Sequence, residues 1–288
     1  MKRTVLAMGV VGVCLLTAFG VAWAGGDHGV MLLGVRLTLW CAGLAFVVQW
    51  VAFVPAYAKQ TERFYDLTGS LTYIGVTLFV LLAAGSTDVR SLVLAGLVLV
   101  WAGRLGSFLF RRIHRQGSDA RFDKIKQSPS RFFVAWTLQG LWVFLTLCAA
   151  LAAISAREST PLGAADVAGL LIWVAGFAIE VAADRQKSAH REKHPGHFIA
   201  SGLWAWSRHP NYFGEIVLWL GVAVIASSTL RGWQWVTMIS PLFVALLLTK
   251  VSGIPILEKR ADERWGSDPA YQRYKSRTPV LLLRPPRR

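Results

Sequence analysis

The sequence predicts an all-α protein, a polytopic helix bundle that crosses a membrane eight times. Of its 288 residues, 54% are hydrophobic and only 16% are charged, whereas a soluble domain has about 25% charged residues. Eight apolar runs approach the length of about 20 residues that a helix needs to cross a bilayer. They lie near 4–24, 30–57, 68–86, 91–110, 132–154, 164–183, 213–229 and 233–256. These runs are too long and too continuously apolar for barrel strands, so helices must satisfy the backbone in lipid.

The first apolar run has two interpretations. Met1-Lys2-Arg3, the apolar stretch and Ala22-Trp23-Ala24 together resemble a secretory signal with a small-residue cleavage site. We favour a span that is retained. The predicted organisation is therefore an N-terminal span or uncleaved signal-like segment at 1–25 and a single transmembrane domain at 26–288. No long linker, low-complexity tract or internal repeat divides the sequence further.

The charge distribution predicts the topology. The chain carries 31 Lys and Arg against 16 Asp and Glu, a net charge of +15. Twenty-five of the 31 fall on one predicted side, in the N-terminus, the loops 58–67, 111–131 and 184–210, and the tail from 257, while Arg90, Arg157 and Arg231 fall on the other. The asymmetry indicates a multi-pass protein of the inner (cytoplasmic) membrane, with the C-terminus and basic loops cytoplasmic. Such a face attracts anionic membrane lipids, and no nucleic-acid partner is expected.

The sequence does not predict a metal site. Its three cysteines lie inside apolar runs and have no ligand spacing. His190, His194 and His197 are loosely spaced, and His194 precedes Pro195, so solvated loop histidines are the preferred interpretation. No Walker loop, no Gly-x-Gly-x-x-Gly before a helix and no His-Glu-x-x-His occurs.

Two runs carry charged residues at helical spacing where they approach the cytoplasm. Arg104, Arg111 and Arg115 share one face of the fourth span and suit a polyphosphate, with snorkelling to lipid headgroups as the alternative. Charged residues also share one face of the sixth span: Glu180, Asp184, Lys187 and Arg191. An Asp184–Lys187 ion pair explains two of these four. A carboxylate as deep as Glu180 indicates a cavity or a partner, because charge within lipid is costly.

A polar string, Ser207-Arg208-His209-Pro210-Asn211-Tyr212-Phe213-Gly214-Glu215, precedes the seventh span. Pro210 suits the first position of a helix, and His209 or Ser207 then lies at its cap. The free N–H groups of such a helix form an anion site. Asn211 and Glu215 are four residues apart and share a face. The alternative is a capped helix with interfacial polar residues.

The segment Lys59–Asp66 opens the third span. Thr61 or Asp66 could cap this helix, and Glu62 would favour its start through the helix dipole. Alternatively, Glu62 and Tyr65 face a cavity between helices. There a carboxylate bonded to a phenol could polarise a carbonyl and deliver a proton.

Four stretches resemble the steroid 5-alpha-reductase superfamily, in a bacterial branch usually called uncharacterised. They are Thr61-Glu62-Arg63-Phe64-Tyr65-Asp66-Leu67-Thr68-Gly69-Ser70, Trp101-Ala102-Gly103-Arg104-Leu105-Gly106, Gly202-Leu203-Trp204 with the polar string, and Glu258-Lys259-Arg260 with the stretch from Tyr271 to Pro279. The resemblance runs from about residue 58 to the end. His209-Pro210 is also found in the isoprenylcysteine carboxyl methyltransferases, a more distant resemblance.

The resemblance implies a seven-helix reductase core, to which this chain adds its N-terminal span. It implies NADPH as cofactor and a hydrophobic enone, steroid-like or another lipid, whose conjugated carbon–carbon double bond is reduced. The implied cofactor-binding residues are Arg104, Asp184, Arg191, Arg208, His209, Asn211, Tyr212 and Glu215, and we add Arg112 to them. Glu62 and Tyr65 are the residues that we expect to be catalytic, by binding and protonating the substrate. Several arginines would suit the 2′-phosphate of NADP.

The chain departs from the family at two positions. The reductases have adjacent Gln and Glu, whereas Thr61 separates Gln60 from Glu62 here. Their carbonyl-polarising Tyr falls on Trp101, whose indole cannot deliver a proton, so Tyr65 or Tyr73 would have to replace it. The leading hypothesis is an NADPH-dependent oxidoreductase. The alternatives are an S-adenosylmethionine-dependent methyltransferase of a lipidic substrate and a non-catalytic lipid-binding protein.

Overall fold

A computed structural model describes residues 2–116, 119, 122–158 and 160–286, and within this part the chain is mainly helical. The longer helices are α1 (Lys2–Gly25), α2 (Leu37–Ala58), α3 (Tyr65–Ala84), α4 (Val89–Gln116), α5 (Pro129–Ile154), α6 (Ala164–Lys193) and α7 (Pro210–Ser227). Shorter ones follow: α8 (Ile239–Leu246), α9 (Ile254–Trp265) and α10 (Pro269–Arg277). Eight segments of the described chain are long and apolar enough to span a membrane, which confirms the all-α, multi-pass prediction. The Arg115 side chain lies outside the described residues.

The second apolar run is shorter as a helix than its sequence predicts. Two-residue strands, β1 (Met31–Leu32) and β2 (Val35–Arg36), pair antiparallel before α2 begins at Leu37. Leu33 and Gly34 form the connection with positive φ angles of 52° and 77°. Such a two-residue turn matches the twist of a hairpin, and glycine adopts it without steric cost. Hydrophobicity alone therefore predicted the start of this span too early.

The eighth apolar run is a broken helix. It begins as a 3₁₀ turn (Gly232–Met238), continues as α8 and a π-helical turn (Leu247–Val251), and resumes as α9. At Gly253 the backbone doubles back so closely that a Cβ would lie 2.4 Å from the Leu248 carbonyl oxygen. Pro255, in the first turn of α9, needs no N–H partner there. The break begins α9 as a new helix that carries Glu258.

The described chain forms two compact units. The first comprises Met1–Asp166 and Ile225–Ser240, and the second comprises Val167–Val224 and Pro241–Arg288. In the first unit α5 is central, because 83% of its most apolar stretch is buried, against 39% or less for α1 to α4. Trp136, Phe144 and Leu147 are fully buried on it. The separate assignment of 1–25 and 26–288 stays a prediction.

A buried ion pair closes the first unit where α4 and α6 begin. Arg90 donates from Nε to Asp166 Oδ1 at 2.6 Å and from Nη2 to Oδ2 at 2.9 Å. Arg90 also donates to the carbonyl oxygens of Thr160 and Pro161. Both charges are therefore paired and hydrogen-bonded, which a buried pair requires. One of the three arginines on the less basic side is thus structural.

Candidate functional site

Glu62 lies in the short connection between α2 and α3, with only 4% of its surface exposed. Gln60 turns the chain there with φ of 49°. One oxygen of Glu62 accepts from the backbone N–H of Asp119 at 2.9 Å, and the other accepts from Lys126 Nζ at 2.9 Å. The carboxylate therefore ties the α4–α5 loop to the start of α3.

These contacts set the charge states of the pair. Burial acts to raise the pKa of Glu62, but the Asp119 N–H and the Lys126 ammonium outweigh it, so this pKa lies below its usual range. The hydrogen bond to Glu62 raises the pKa of Lys126 above its usual value, against the effect of burial. Glu62 is thus a carboxylate and Lys126 an ammonium at neutral pH.

Tyr65, the first residue of α3, makes contacts through its hydroxyl, its backbone carbonyl and its ring. Its hydroxyl donates to the Ala135 carbonyl at 2.8 Å, and its own carbonyl accepts from Gln139 Nε2 at 3.0 Å. Its ring packs against those of Phe122 and Trp136, with centroids 4.8 and 5.0 Å away. The aromatic cluster fixes the phenol rigidly, and the hydroxyl proton points to a backbone carbonyl.

Tyr73 lies two turns further along α3 and packs against Trp101 of α4. The two rings meet edge to face, with centroids 5.0 Å apart and planes at 83°. Both residues are buried, with 6% of Tyr73 and 2% of Trp101 exposed. A phenol therefore lies next to the Trp101 indole.

Two arginines of α4 that the sequence predicts to bind cofactor, Arg104 and Arg112, differ in their surroundings. The Arg104 guanidinium lies over the ring of Phe108, 5.3 Å from its centroid. Arg112 forms an ion pair with Asp66 of α3, Nη2 to Oδ2 at 3.3 Å, and both side chains are partly exposed. Asp66, which the sequence offered as a cap of α3, is in the first turn of that helix instead.

In the second unit, glycines bring α6 and α7 into backbone contact. A Cβ on Gly176 would lie 2.4 Å from the Leu218 nitrogen, and one on Gly214 would lie 2.6 Å from the Glu180 nitrogen. A Cβ on Gly221 would lie 2.6 Å from both the Gly169 oxygen and the Trp173 nitrogen. Small residues allow such close packing of helices in a membrane. The three contacts fix one antiparallel register.

That register places the charged end of α6 beside the start of α7. Asn211 Nδ2 donates to Asp184 Oδ1 at 3.3 Å. On either side of Asp184, Gln186 accepts from the Leu203 N–H at 2.9 Å, and the Ala183 carbonyl accepts from Trp204 Nε1 at 3.0 Å. Two predicted cofactor residues, Asp184 and Asn211, are thereby brought together. Glu180 and Glu215 are also buried, with exposures of 2% and 8%.

Arg208 and His209 share Glu258, which α9 supplies. His209 Nε2 lies 2.8 Å from Glu258 Oε1, and Arg208 Nη1 lies 3.3 Å from Glu258 Oε2. The His209 ring is parallel to that of Tyr212, with centroids 5.7 Å apart. Burial lowers the pKa of His209 below its usual value; Glu258 opposes this, while Lys187 and Arg208 reinforce it. His209 is therefore neutral at neutral pH.

The C-terminal segment forms hydrogen bonds with the polar string and with the residues just before it. The Arg208 N–H donates to the Pro279 carbonyl at 2.9 Å, and the Arg284 N–H donates to the Trp206 carbonyl at 3.0 Å. Ser207 Oγ donates to the Leu281 carbonyl at 2.8 Å. Tyr274 of α10 donates to the Trp204 carbonyl at 2.8 Å, and burial raises its pKa. The tail therefore fixes the backbone that precedes α7.

Two further predicted cofactor residues, Arg191 and Tyr212, are near Arg208 and His209 in sequence. Arg191 is exposed near the end of α6, while Tyr212 is half-buried and its ring edge packs against Gly253. The rings of His190 and His194 lie 5.0 Å apart, but within the described ranges no three His, Cys, Asp or Glu side chains form a group that could hold a metal ion.

The sequence did not predict the partners of Glu62 and His209. Lys126 lies 64 residues from Glu62, and Glu258 lies 49 residues from His209. No local spacing indicates either pair. Glu258 stood out only as part of the family resemblance. That the residues of the first unit and those of the second serve one cavity stays a prediction.

Comparisons with known proteins give partial sequence matches and one family match. An uncharacterized protein of Schizosaccharomyces pombe is 26% identical over 176 residues, 50% of this chain and 51% of the relative. The steroid 5-alpha-reductase DET2 of Gossypium hirsutum is 38% identical over 72 residues, 24% of this chain and 26% of that protein. The chain thus spans about half of the first relative and a quarter of the second. No solved structure gives a significant match. Residues 52–278 match the family described as Protein of unknown function (DUF1295), and the chain belongs to that family.

Proposed function

We propose that this protein is an NADPH-dependent reductase of a conjugated carbon–carbon double bond in a hydrophobic enone. It would act in the inner membrane, with its basic loops and C-terminus cytoplasmic. The observation that carries the proposal is the Asp184–Asn211 contact beside the Arg208–His209–Glu258 cluster. The partial similarity to a steroid 5-alpha-reductase supports the same reaction class.

The side chains of the second unit fit a nucleotide. Arg208 Nε is a buried donor, and His209 Nδ1 is a buried ring nitrogen; neither has a hydrogen-bond partner among the described residues. Buried polar atoms are normally satisfied, so both atoms suit a polar ligand. The N-terminus of α7 adds a positive dipole end, which favours phosphate.

We assign cofactor binding to the residues that the sequence analysis predicts for it. In the first unit these are Arg104 and Arg112, and in the second they are Asp184, Arg191, Arg208, His209, Asn211, Tyr212 and Glu215. Bound NADPH would supply the hydride for the β-carbon of the enone. The chain supplies orientation, the charges that hold the phosphates, and the proton that completes the reduction.

On the substrate side we propose Glu62 and Tyr65, and we add Tyr73 as the proton donor. The Tyr65 hydroxyl donates to a backbone carbonyl, and both Glu62 oxygens accept hydrogen bonds. Tyr73 packs against Trp101. The resemblance aligns Trp101 with the carbonyl-polarising tyrosine of the steroid 5-alpha-reductases. Of the two phenols, the contacts therefore favour Tyr73 for delivering the proton, while Tyr65 shapes the aromatic wall.

NADPH titration of the detergent-solubilised protein tests the proposal. We expect saturable binding, weakened by Asn211→Ala and by Arg191→Gln. Arg157→Gln is the matched control, because it removes an exposed positive charge on the opposite predicted side. No binding at about millimolar NADPH by a folded protein would refute the proposal, since that corresponds to only about 4 kcal/mol of affinity.

The buried His209-Pro210 string favours a second candidate, an S-adenosylmethionine-dependent methyltransferase. A thermal-shift comparison separates the two: stabilisation by S-adenosylmethionine and none by NADPH would favour the methyltransferase. A non-catalytic lipid-binding protein predicts that neither cofactor stabilises the fold. It also predicts that Asn211→Ala and Glu215→Ala alter stability alone.

A further inference from the structure

His209 has two ring nitrogens in different surroundings. Nε2 lies 2.8 Å from Glu258 Oε1, whereas Nδ1 is buried with no hydrogen-bond partner among the described residues. The whole side chain is enclosed, with 5% of the residue exposed. An ionised carboxylate can only accept, so Nε2 must carry the proton. In a neutral imidazole this leaves Nδ1 as an acceptor.

The charges around His209 maintain that state. Glu258 is also approached by Arg208 Nη1 at 3.3 Å and by Lys275 Nζ at 3.9 Å, which keep it ionised. Lys187 of α6 and Arg208 both oppose a second proton on the ring. Glu258 is therefore a positioning residue, since it fixes which nitrogen of His209 bears hydrogen.

The polarity of Nδ1 selects the part of a nucleotide that it can bind. A phosphate at neutral pH offers acceptor oxygens and so suits the Arg208 donor, not Nδ1. The ring of Tyr212, parallel to the imidazole at 5.7 Å, adds an aromatic surface beside the acceptor. In NADPH the adenine and the dihydronicotinamide both carry N–H donors, but only the adenine is aromatic. The aromatic surface beside the acceptor therefore favours adenine.

We propose that Glu258 sets the tautomer of His209 and that Nδ1 accepts a hydrogen bond from the amino group of the cofactor's adenine. The assignment rests on the proposed function and specifies how the second unit recognises its nucleotide. Adenosine is common to NADPH and S-adenosylmethionine, so the same contact would serve the second candidate. Removing one such bond should weaken binding about tenfold.

Two substitutions of His209 separate its two nitrogens. His209→Gln keeps an amide near the position of Nε2, where it can still donate to Glu258, but removes the acceptor at Nδ1. His209→Asn keeps an oxygen acceptor near Nδ1 and loses the Glu258 contact. Each is titrated with NADPH and with its hypoxanthine analogue, which lacks the amino group. S-adenosylmethionine is titrated in parallel.

We expect the wild type to bind the analogue about tenfold more weakly than NADPH. His209→Gln should bind both equally weakly, and His209→Asn should retain a preference for NADPH. Equal affinity of the wild type for NADPH and the analogue would overturn the adenine assignment while leaving the proposed function intact. If only S-adenosylmethionine binds, with dependence on His209, the adenosine contact survives and the reductase does not. If no nucleotide binds, both proposals fail.

A spectroscopic measurement tests Glu258 without any cofactor. Nitrogen-15 NMR of histidine-labelled protein reports the tautomer of each ring, and the His209→Asn variant identifies the His209 signals. We expect the Nε2–H tautomer in the wild type and a mixture of tautomers in Glu258→Met. An Nδ1–H tautomer in the wild type would overturn the proposal.

Discussion

Asn211 donates a hydrogen bond to Asp184 across the α6–α7 contact, with Nδ2 and Oδ1 3.3 Å apart. The pair lies at the end of the register that Gly214 and Gly176 set. Because both helices are in backbone contact there, the side chains beyond the glycines have little freedom in their separation. The geometry of the proposed cofactor residues therefore depends on glycines that are not themselves proposed to bind the cofactor.

Gly214→Ala should separate α6 from α7 and disturb the Asp184–Asn211 contact. The new Cβ would lie 2.6 Å from two backbone atoms that cannot move aside, the Glu180 nitrogen and the Gly176 oxygen. We expect a loss of about 1–3 kcal/mol of stability, as for other overpacked cores, together with weaker NADPH binding. Thermal unfolding in detergent measures the first and titration the second.

Gly75→Ala is the matched control for this substitution. Gly75 is also within a spanning helix, but a Cβ there meets no atom within 4 Å. Its melting temperature should stay the same or rise, because alanine is the better helix former. Equal melting temperatures for Gly214→Ala and Gly75→Ala would show that the close approach of α6 and α7 is not required.

Lys126→Met should release the α4–α5 loop from Glu62. The buried carboxylate would keep the Asp119 N–H but lose the ammonium, and loss of a charged hydrogen bond costs about 2 kcal/mol. Hydrogen exchange at Asp119 and at residues 122–128 should accelerate. Lys124→Met is the control, because Lys124 is exposed on the same loop. Unchanged exchange in Lys126→Met would contradict the proposal that Glu62 holds the α4–α5 loop through Lys126.

The same pair gives a signed pH dependence. The pKa of Glu62 is lowered by folding, so its contribution to stability is present above its unfolded pKa and is lost as pH falls through the folded value. The pKa of Lys126 is raised, so its contribution is present below its unfolded pKa and is lost as pH rises through the folded value. Protection from exchange at residues 122–128, taken relative to the intrinsic exchange rate at each pH, should fall at both extremes, and Lys126→Met should abolish the alkaline limb.

Tyr73→Phe and Tyr65→Phe should have different consequences. If Tyr73 delivers the proton, its loss should reduce turnover about 10²- to 10⁴-fold with little change in NADPH affinity. Tyr65→Phe should cost about 1 kcal/mol of stability, since it removes the bond to Ala135, and should preserve most of the turnover. Single-turnover reduction of an enone, with thermal unfolding beside it, checks both. A larger rate loss in Tyr65→Phe would exchange the two roles.

Removal of residues 279–288 should destabilise the polar string. The truncation deletes the acceptors at Pro279 and Leu281 and the donor at Arg284, which hold Trp206, Ser207 and Arg208. We expect a lower melting temperature and at least tenfold weaker NADPH binding. A chain that ends at Arg284 keeps these three bonds and is the control. Wild-type binding by the longer truncation would show that the tail is dispensable.

The sequence by itself predicted eight helices apolar enough to span a membrane, as the structure has them, because hydrophobicity is a local property of the chain. The side on which the Lys and Arg gather stays a prediction. The sequence also placed the start of α7 at Pro210, since proline fixes a helix N-terminus. It misplaced the start of α2, because Met31, Leu32 and Val35 are as apolar as a span and only the turn at Leu33-Gly34 separates them.

Only the tertiary structure decided the partners of the polar groups. Glu62 belongs with Lys126, and His209 with Glu258, through contacts between residues far apart in sequence. The sequence identified Asp184 and Asn211 as candidates, but the packing of Gly176 and Gly214 brought them together. Burial and pairing set charge and tautomer, and these arise only when distant segments pack. For that reason a motif can nominate a chemical group, while its protonation and its partner follow from the fold.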